Sequence, residues 1–181
     1  AIVGSVSDGT NLRNPRSVFV SGKYAYVANA EVDTVSVVDV SNPSAPAQIA
    51  TTSVGDSPYS IYVSGRYAYV ANQASSSISV VDISNPSAPI QIATTSVGGS
   101  PRSIFVAGRY AYTANAGPDN ISVVDISNPS APAQIATAAV GADPLSVFVL
   151  GRYAYTANSG SDNISVVDIS NPSAPTQIAT T

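Results

Sequence analysis

The chain consists of short runs in which apolar and polar residues alternate, separated by residues that form turns. A period of two is typical of β-strands that bury one face, and β-branched and aromatic residues favour the same conformation. Within residues 58–100, Ser-Gly and Asn-Pro-Ser-Ala-Pro segments interrupt these runs. Four strands are therefore predicted in this stretch, at Ser60–Val63, Arg66–Asn72, Ser77–Ile83 and Ile90–Ser96.

The same pattern occurs four times with a spacing of 43 residues. Asn-Pro-Ser-Ala-Pro begins at Asn42, Asn85, Asn128 and Asn171, and a proline opens each following unit at Pro15, Pro58, Pro101 and Pro144. A period of about 40–45 residues with four strands per unit is typical of a β-propeller blade, and no window of about 11 residues has helical periodicity.

We therefore predict an all-β fold, a β-propeller of four-stranded antiparallel blades. Residues 1–181 are interpreted as one propeller domain. Its predicted parts are an outer strand and lead-in at 1–14, followed by blades at about 15–57, 58–100, 101–143 and 144–181.

The repeated residues also resemble a known family. Tyr-Ala-Tyr-Val-Ala-Asn at 24–29, followed by Val-Ser-Val-Val-Asp-Val-Ser-Asn-Pro-Ser-Ala-Pro at 35–46, is similar to the LVIVD-type propeller repeat, which is related to the YVTN repeats of surface proteins. The resemblance covers all four units. It implies a β-propeller from an extracellular or cell-surface protein, commonly one with no assigned chemistry.

Composition restricts the possible functions. The net charge of −4 and the pI near 4.4 argue against a nucleic-acid partner, because such proteins carry clustered Lys and Arg. No apolar run approaches the length of about 18 residues that a membrane-spanning helix needs. The chain has neither His nor Cys, so it can build no Ser-His-Asp or Cys-His catalytic arrangement and no ordinary zinc site. We predict a protein that is not an enzyme and that uses no cofactor or metal.

The closure of the propeller remains open between three alternatives. Residues 1–6 match the outer strand at 47–52, and the chain also ends on such a strand at 176–181, so five outer strands are expected for four blades. The chain could form a closed monomeric ring of four blades, half of an eight-bladed ring built by two chains, or part of a longer array.

Residues that differ between the four units are the candidate functional residues, because the repeat does not require them. The residue after each opening proline starts the innermost strand, so these four side chains are expected around one mouth of the central channel, where two guanidiniums could hold an anion. They are Arg16, Tyr59, Arg102 and Leu145. The loop between the second and third strands also varies, and its acidic residues Glu31, Asp33, Asp119 and Asp162 are candidate binding residues, although too few per loop for a Ca²⁺ site.

Residues that recur in every unit are interpreted as structural. The aspartates of Val-Val-Asp are expected to cap the turn that follows, and the basic residues after the first tight turn are expected to lie over the neighbouring tyrosine. They are Asp39, Asp82, Asp125 and Asp168, and Lys23, Arg66, Arg109 and Arg152.

Three functions are compatible with these patterns. The first is a non-enzymatic binding or scaffold propeller that presents its variable loops and channel mouth to a protein, peptide or glycan partner. The second is a propeller that binds a small anion, or acts as an enzyme, at the channel around Arg16, Tyr59 and Arg102. The third is a structural segment of a larger surface protein.

Overall fold

The computed structural model describes residues 2–7 and 9–181, and within them sixteen strands form four separate antiparallel sheets. Each sheet is a blade of four strands in sequential order. Blade 1 contains β1 (Pro15–Ser21), β2 (Tyr24–Asn29), β3 (Thr34–Asp39) and β4 (Ala47–Ser53). Blade 2 contains β5 (Pro58–Ser64), β6 (Tyr67–Asn72), β7 (Ser77–Asp82) and β8 (Ile90–Ser96).

The remaining two blades repeat this arrangement. Blade 3 contains β9 (Pro101–Ala107), β10 (Tyr110–Asn115), β11 (Asn120–Asp125) and β12 (Ala133–Ala139). Blade 4 contains β13 (Pro144–Leu150), β14 (Tyr153–Asn158), β15 (Asn163–Asp168) and β16 (Thr176–Thr180). The predicted propeller fold and its four strands per unit are confirmed. The described part of the chain contains no helix that could span a membrane.

Short turns join the strands because the sequence supplies residues suited to them. Gly65 has a φ of 59° in the turn between the first two strands of blade 2, a conformation that costs glycine little. The Asn-Pro-Ser-Ala-Pro segment closes the turn between the third and fourth strands. There the side chain of Asn85 accepts a hydrogen bond from the Ser87 amide at 3.2 Å, as Asn does in Asx-turns.

The core lies between successive blades rather than within one sheet. Val35 and Val37 of blade 1 pack against Ile61 and Val81 of blade 2, and the equivalent positions pack at the next two interfaces. Most of these side chains are fully removed from water. Each contributes about 1.5–3 kcal/mol relative to an exposed side chain, so stacking of the blades is the main source of stability.

Hydrogen bonds and aromatic rings also join the inner strands of neighbouring blades. The Ser17 hydroxyl accepts the Ile61 amide at 3.2 Å, and the same bond recurs between blades 2 and 3 and between blades 3 and 4. One aromatic ring per blade contacts the next, with centroids 4.8–5.0 Å apart. The row consists of Phe19, Tyr62, Phe105 and Phe148.

The four blades form an open arc. The inner strands β1, β5, β9 and β13 pack on one another in order, but within residues 2–7 and 9–181 no equivalent packing joins β13 to β1. On blade 1, Val18 is 61% exposed, whereas the equivalent Ile61 of blade 2 is 4% exposed. On blade 4, Ile164 is 49% exposed, whereas the equivalent Ile121 of blade 3 is fully buried. The single chain is therefore not the closed ring that formed the first alternative.

The segment before blade 1 differs from the prediction of a fifth outer strand. Residues 2–7 form no strand, and residue 1 lies outside the described residues. Gly4 instead packs against the Pro43 carbonyl and the Pro46 ring, too closely for a side chain at that position. The outer positions of all four blades are occupied by β4, β8, β12 and β16, so no third strand within the described residues is free to pair with this segment.

Candidate functional site: the opening rim

Each blade has two ends, and the candidate residues lie at the same one. The opening proline Pro15 pairs with Asn29, and Thr34 pairs with Ser53, so the start of β1 and the loop between β2 and β3 share one edge. We call this edge, repeated in all four blades, the opening rim. It consists of residues 12–16, 55–59, 98–102 and 141–145, together with the loops 30–33, 73–76, 116–119 and 159–162.

The residue after each opening proline is a β-bulge residue. In blade 1 the pairing of Pro15 with Asn29 is followed by that of Ser17 with Ala28, so Arg16 has no partner on β2. The other three blades have the same shift in register. A bulge bends the strand and redirects a side chain, which accounts for the freedom of this position to vary.

These four residues form two separate contacts rather than one circular mouth. The guanidinium of Arg16 lies over the ring of Tyr59, 5.3 Å from its centroid. Arg102 faces the Asp143 carboxylate at 3.7 Å, and its buried Nε has no hydrogen-bond partner. Leu145 lines an open cleft on blade 4. Because the arc is open, the expected ring of side chains around a channel is replaced by a row along the opening rim.

Three of the four acidic residues of the variable loops have structural contacts of their own. Glu31 forms an ion pair with Arg13. Asp33 accepts the Ser57 amide at 2.7 Å, and Asp119 accepts the Asp143 amide at 2.8 Å. Each of these two aspartates thus holds the segment that opens the next blade.

The backbone conformation of these aspartates fits this role. Asp33 and Asp119 have φ values of 54° and 53°, in the left-handed region that Asp tolerates better than most residues. Asp162 has a φ of 51°, but no following blade supplies an amide to it within the described residues. Among those residues no group of three or more carboxylates lies close enough to hold a metal ion.

A buried amide, which sequence analysis missed, secures the opening rim from below. Asn115, at the end of β10, is fully buried and donates to the Ser122 hydroxyl at 2.9 Å, and that hydroxyl accepts the Gly98 amide at 3.1 Å. A Cβ on Gly98 would lie 2.6 Å from the Asn115 amide nitrogen, so only glycine fits there. The recurrence of Asn at the end of every second strand was the signal available in the sequence.

The opposite edge carries the recurring charged residues. We call it the turn rim. It consists of the turns at 22–23, 65–66, 108–109 and 151–152, the turns at 40–46, 83–89, 126–132 and 169–175, and the strand ends next to them. Asp82 accepts the Ser84 amide at 2.9 Å, which confirms its role in the turn, and it also forms an ion pair with Arg66. Arg66 lies over the ring of Tyr67, 5.2 Å from the centroid, as expected. Hydrogen bonds, first from Arg66 and then from Ser84, lower the pKa of Asp82 to about 2. The ion pair was not predicted, because the two residues are 16 positions apart and meet only through strand pairing.

The open face of blade 4 contains a cleft of about 420 Å³. Leu145, Asp162, Ile164 and Thr181 line it. In blade 3, the equivalent isoleucine, Ile121, is fully buried. The cleft therefore lies on the side of blade 4 that a following blade covers in the case of blade 3.

Comparison with protein families is consistent with this architecture. The model of the LVIVD repeat matches the chain four times, at residues 13–52, 56–95, 98–138 and 143–180. The chain belongs to the LVIVD repeat family. No curated protein matches the sequence significantly.

Solved structures share the fold at low sequence identity. The periplasmic gluconolactonase PpgL of Pseudomonas aeruginosa is 19% identical, with a TM-score of 0.81 over 92% of this chain and 53% of that one. A protein from Lactobacillus plantarum is 18% identical, with a TM-score of 0.81 over 93% of this chain and 55% of that one. Hydrazine synthase of Kuenenia stuttgartiensis is 24% identical, with a TM-score of 0.77 over 97% and 52%. This LVIVD repeat chain thus spans about half the length of these structures.

Proposed function

We propose that this LVIVD repeat chain is a non-enzymatic binding module that uses its opening rim to hold a protein, peptide or glycan partner. The observation that carries the proposal is that the two segments that vary most between repeats, the residue after each opening proline and the loop between the second and third strands, lie together on one rim. The opposite rim bears the recurring Asp–Arg–Tyr contacts. Binding proteins commonly carry variable residues on loops that a rigid scaffold of strands holds in place.

The chemistry of the rim favours a partner with acidic or hydroxyl groups. Arg16 is exposed and stacked on Tyr59, so its guanidinium is held in place while its outward N–H groups remain available. The Arg102 side chain is 30% exposed and faces the Asp143 carboxylate at 3.7 Å, which orients its guanidinium at the rim. An arginine positioned by stacking loses less conformational freedom when it binds a carboxylate or a sugar hydroxyl.

The shortage of side chains suited to catalysis supports a non-enzymatic role. The chain contains no His or Cys, and its recurring aspartates are engaged by turn amides. We also propose that the module acts outside the cell or at its surface. That part of the proposal rests on the resemblance of the repeats alone.

The proposal is tested by selecting ligands from a phage-displayed random peptide library and from a glycan array. The wild-type chain is expected to select ligands that the double variant Arg16→Ala, Arg102→Ala binds at least about tenfold more weakly, the loss of one charge-assisted hydrogen bond. The matched control is Arg66→Ala with Arg109→Ala, which removes the same charge from the turn rim and should bind as wild type. Failure of the wild type to select any ligand, or equal binding by both double variants, would refute the proposal.

A second candidate is a small-molecule or enzymatic propeller acting at Arg16, Tyr59 and Arg102. The observation that favours it is the shared fold of PpgL, a gluconolactonase by name. Hydrolysis of gluconolactone by the purified chain above the rate in buffer alone, lost in Arg16→Ala with Arg102→Ala, would replace the binding proposal. The third candidate, a purely structural segment, predicts no ligand and no turnover in either assay.

A further inference from the structure

The two open faces of the arc are the two halves of an interface that the chain already builds three times. Blade 4 presents Phe148 and Ile164 at the positions through which blades 1–3 contact the next blade. Blade 1 presents Val18 and Val20 at the positions that receive those contacts in blades 2–4. We propose that a second copy of this chain covers both faces, blade 4 of each copy docking on blade 1 of the other, so that two chains form one ring of eight blades.

Apolar side chains on the two faces match one another. Pro58, Pro101 and Pro144, which open blades 2–4, are buried, whereas Pro15 of blade 1 is exposed. The cleft lined by Leu145 and Ile164 lies where the opening segment of a following blade would be, and Pro15 of the second copy would fill it. Phe148 is 54% exposed at one end of the aromatic row, and Phe19 at the other end would continue it.

Polar groups on the two faces match as well. At each internal interface a serine hydroxyl accepts an amide of the next inner strand at 3.2 Å. Within the described part of the chain, neither the Ser146 hydroxyl nor the Val18 amide, the equivalents at the two open faces, forms a bond of this kind. Likewise Asp33 and Asp119 accept an amide from the next blade. Asp162 is their equivalent on blade 4, and the Asn14 amide of the second copy would be its donor.

The geometry of the arc favours a ring of eight rather than four. The four blades superpose on propellers of which they cover only 52–55%, with TM-scores of 0.77–0.81. An arc of four blades that superposes well on about half of these larger chains fits the curvature of a ring with more than four blades, and propellers with up to eight blades are known. A head-to-tail interface closes when its rotations add up to a full turn, and two copies of four blades would satisfy this condition at one eighth of a turn per blade.

Sedimentation equilibrium of the wild-type chain tests the proposal first. We expect a species of twice 18.3 kDa that dissociates on dilution. Val18→Asp with Val20→Asp on one face, and Phe148→Asp with Ile164→Asp on the other, should each weaken association by about a hundredfold or more, because a buried unpaired charge is costly. The matched control is Ile90→Asp, at an exposed position of the outer strand β8, which should associate as wild type.

Mixing the two double variants separates head-to-tail docking from the alternatives. One variant keeps an intact blade 4 and the other an intact blade 1, so the mixture should form a two-chain species that neither variant forms alone. If the faces docked like to like, each double variant would still dimerise through its unaltered face. A wild type that stays monomeric at all concentrations, or one that forms open-ended polymers, would overturn the proposal.

Cross-linking gives a second readout, since the chain has no cysteine of its own. A chain with Phe19→Cys and Phe148→Cys should yield a covalent two-chain product with a short bis-maleimide, because the equivalent rings inside the chain are 4.8–5.0 Å apart. Phe148→Cys alone should yield none. Cross-linking of that single variant would instead indicate tail-to-tail contact and overturn the proposal.

Discussion

Repeat symmetry provides an internal control for the contribution of blade stacking. Ile121 and Ile164 occupy the same position of the third strand in blades 3 and 4, but Ile121 is fully buried by the next blade, whereas Ile164 is 49% exposed. Replacing either by alanine changes β-propensity equally. The difference between the two variants therefore measures what coverage by the next blade contributes.

We expect Ile121→Ala to destabilise the chain by about 3 kcal/mol, within the range for removing a buried isoleucine side chain and leaving a cavity. Ile164→Ala should cost about 1 kcal/mol or less, because half of its surface is already in water. For a chain of this size, each kcal/mol lowers Tm by about 2–4 °C, so Ile121→Ala should lower Tm by about 6–12 °C.

The assay is urea denaturation followed by circular dichroism, with thermal melting in parallel. Both substitutions are introduced into the Val18→Asp, Val20→Asp background, which keeps the protein monomeric and blade 4 uncovered. Amide hydrogen exchange in the affected blade gives an independent reading, because repeat proteins can unfold from their ends. Equal losses for the two variants would refute the argument that the next blade, rather than the strand's own sheet, stabilises this position.

Three further predictions concern the two rims. In urea denaturation of the same background, Asp119→Ala should lower the free energy of unfolding by about 1 kcal/mol more than Asp162→Ala. Both residues have a positive φ, but only Asp119 accepts a backbone amide from the next blade. Equal losses would exclude a role for that bond. Because the folded-state pKa of Asp82, about 2, lies below its ordinary value, its contribution to stability is complete above pH of about 4 and is lost as the pH falls towards 2. Thermal melting from pH 5 to 2 should therefore show a smaller loss for Asp82→Asn than for wild type, and an unchanged acid profile would contradict this. Gly98→Ala should be strongly destabilising, because the added carbon would lie 2.6 Å from the Asn115 side chain. Gly99→Ala should be tolerated, because the nearest atom to its added carbon is 3.9 Å away. Similar Tm values for the two variants in calorimetry would disprove the close packing on Asn115.

Local patterns were sufficient to predict the blade. The strand at Ile90–Ser96 has the predicted limits, and Ser60–Val63 was predicted within a strand that extends over Pro58–Ser64. Alternation with period two, glycine at a left-handed turn and proline at strand ends all act over a few residues, so they can be read directly from the chain. The turn role of Asp82 was predicted for the same reason.

Contacts between distant residues could not be predicted in this way. Arg66 and Asp82 form an ion pair although they are 16 residues apart in the sequence. Asp119 accepts a hydrogen bond from the Asp143 amide, 24 residues further along. The register of the strands decides whether such residues meet. The predicted outer strand at residues 1–6 had the right composition, but a later strand already occupies the outer edge of every blade, β16 in the case of the last one.

The amino-acid sequence by itself determined the blade, the number of repeats and the positions free to vary, because each depends on short-range periodicity and turn chemistry. Only the tertiary structure decided that the four blades form an open arc, that Arg16 stacks on Tyr59 while Arg102 faces Asp143, and that one apolar face each of blades 1 and 4 is left exposed. The rotation between blades depends on how whole sheets pack against one another. Near-identical repeats define each interface between blades but do not determine how many blades are needed to close a ring.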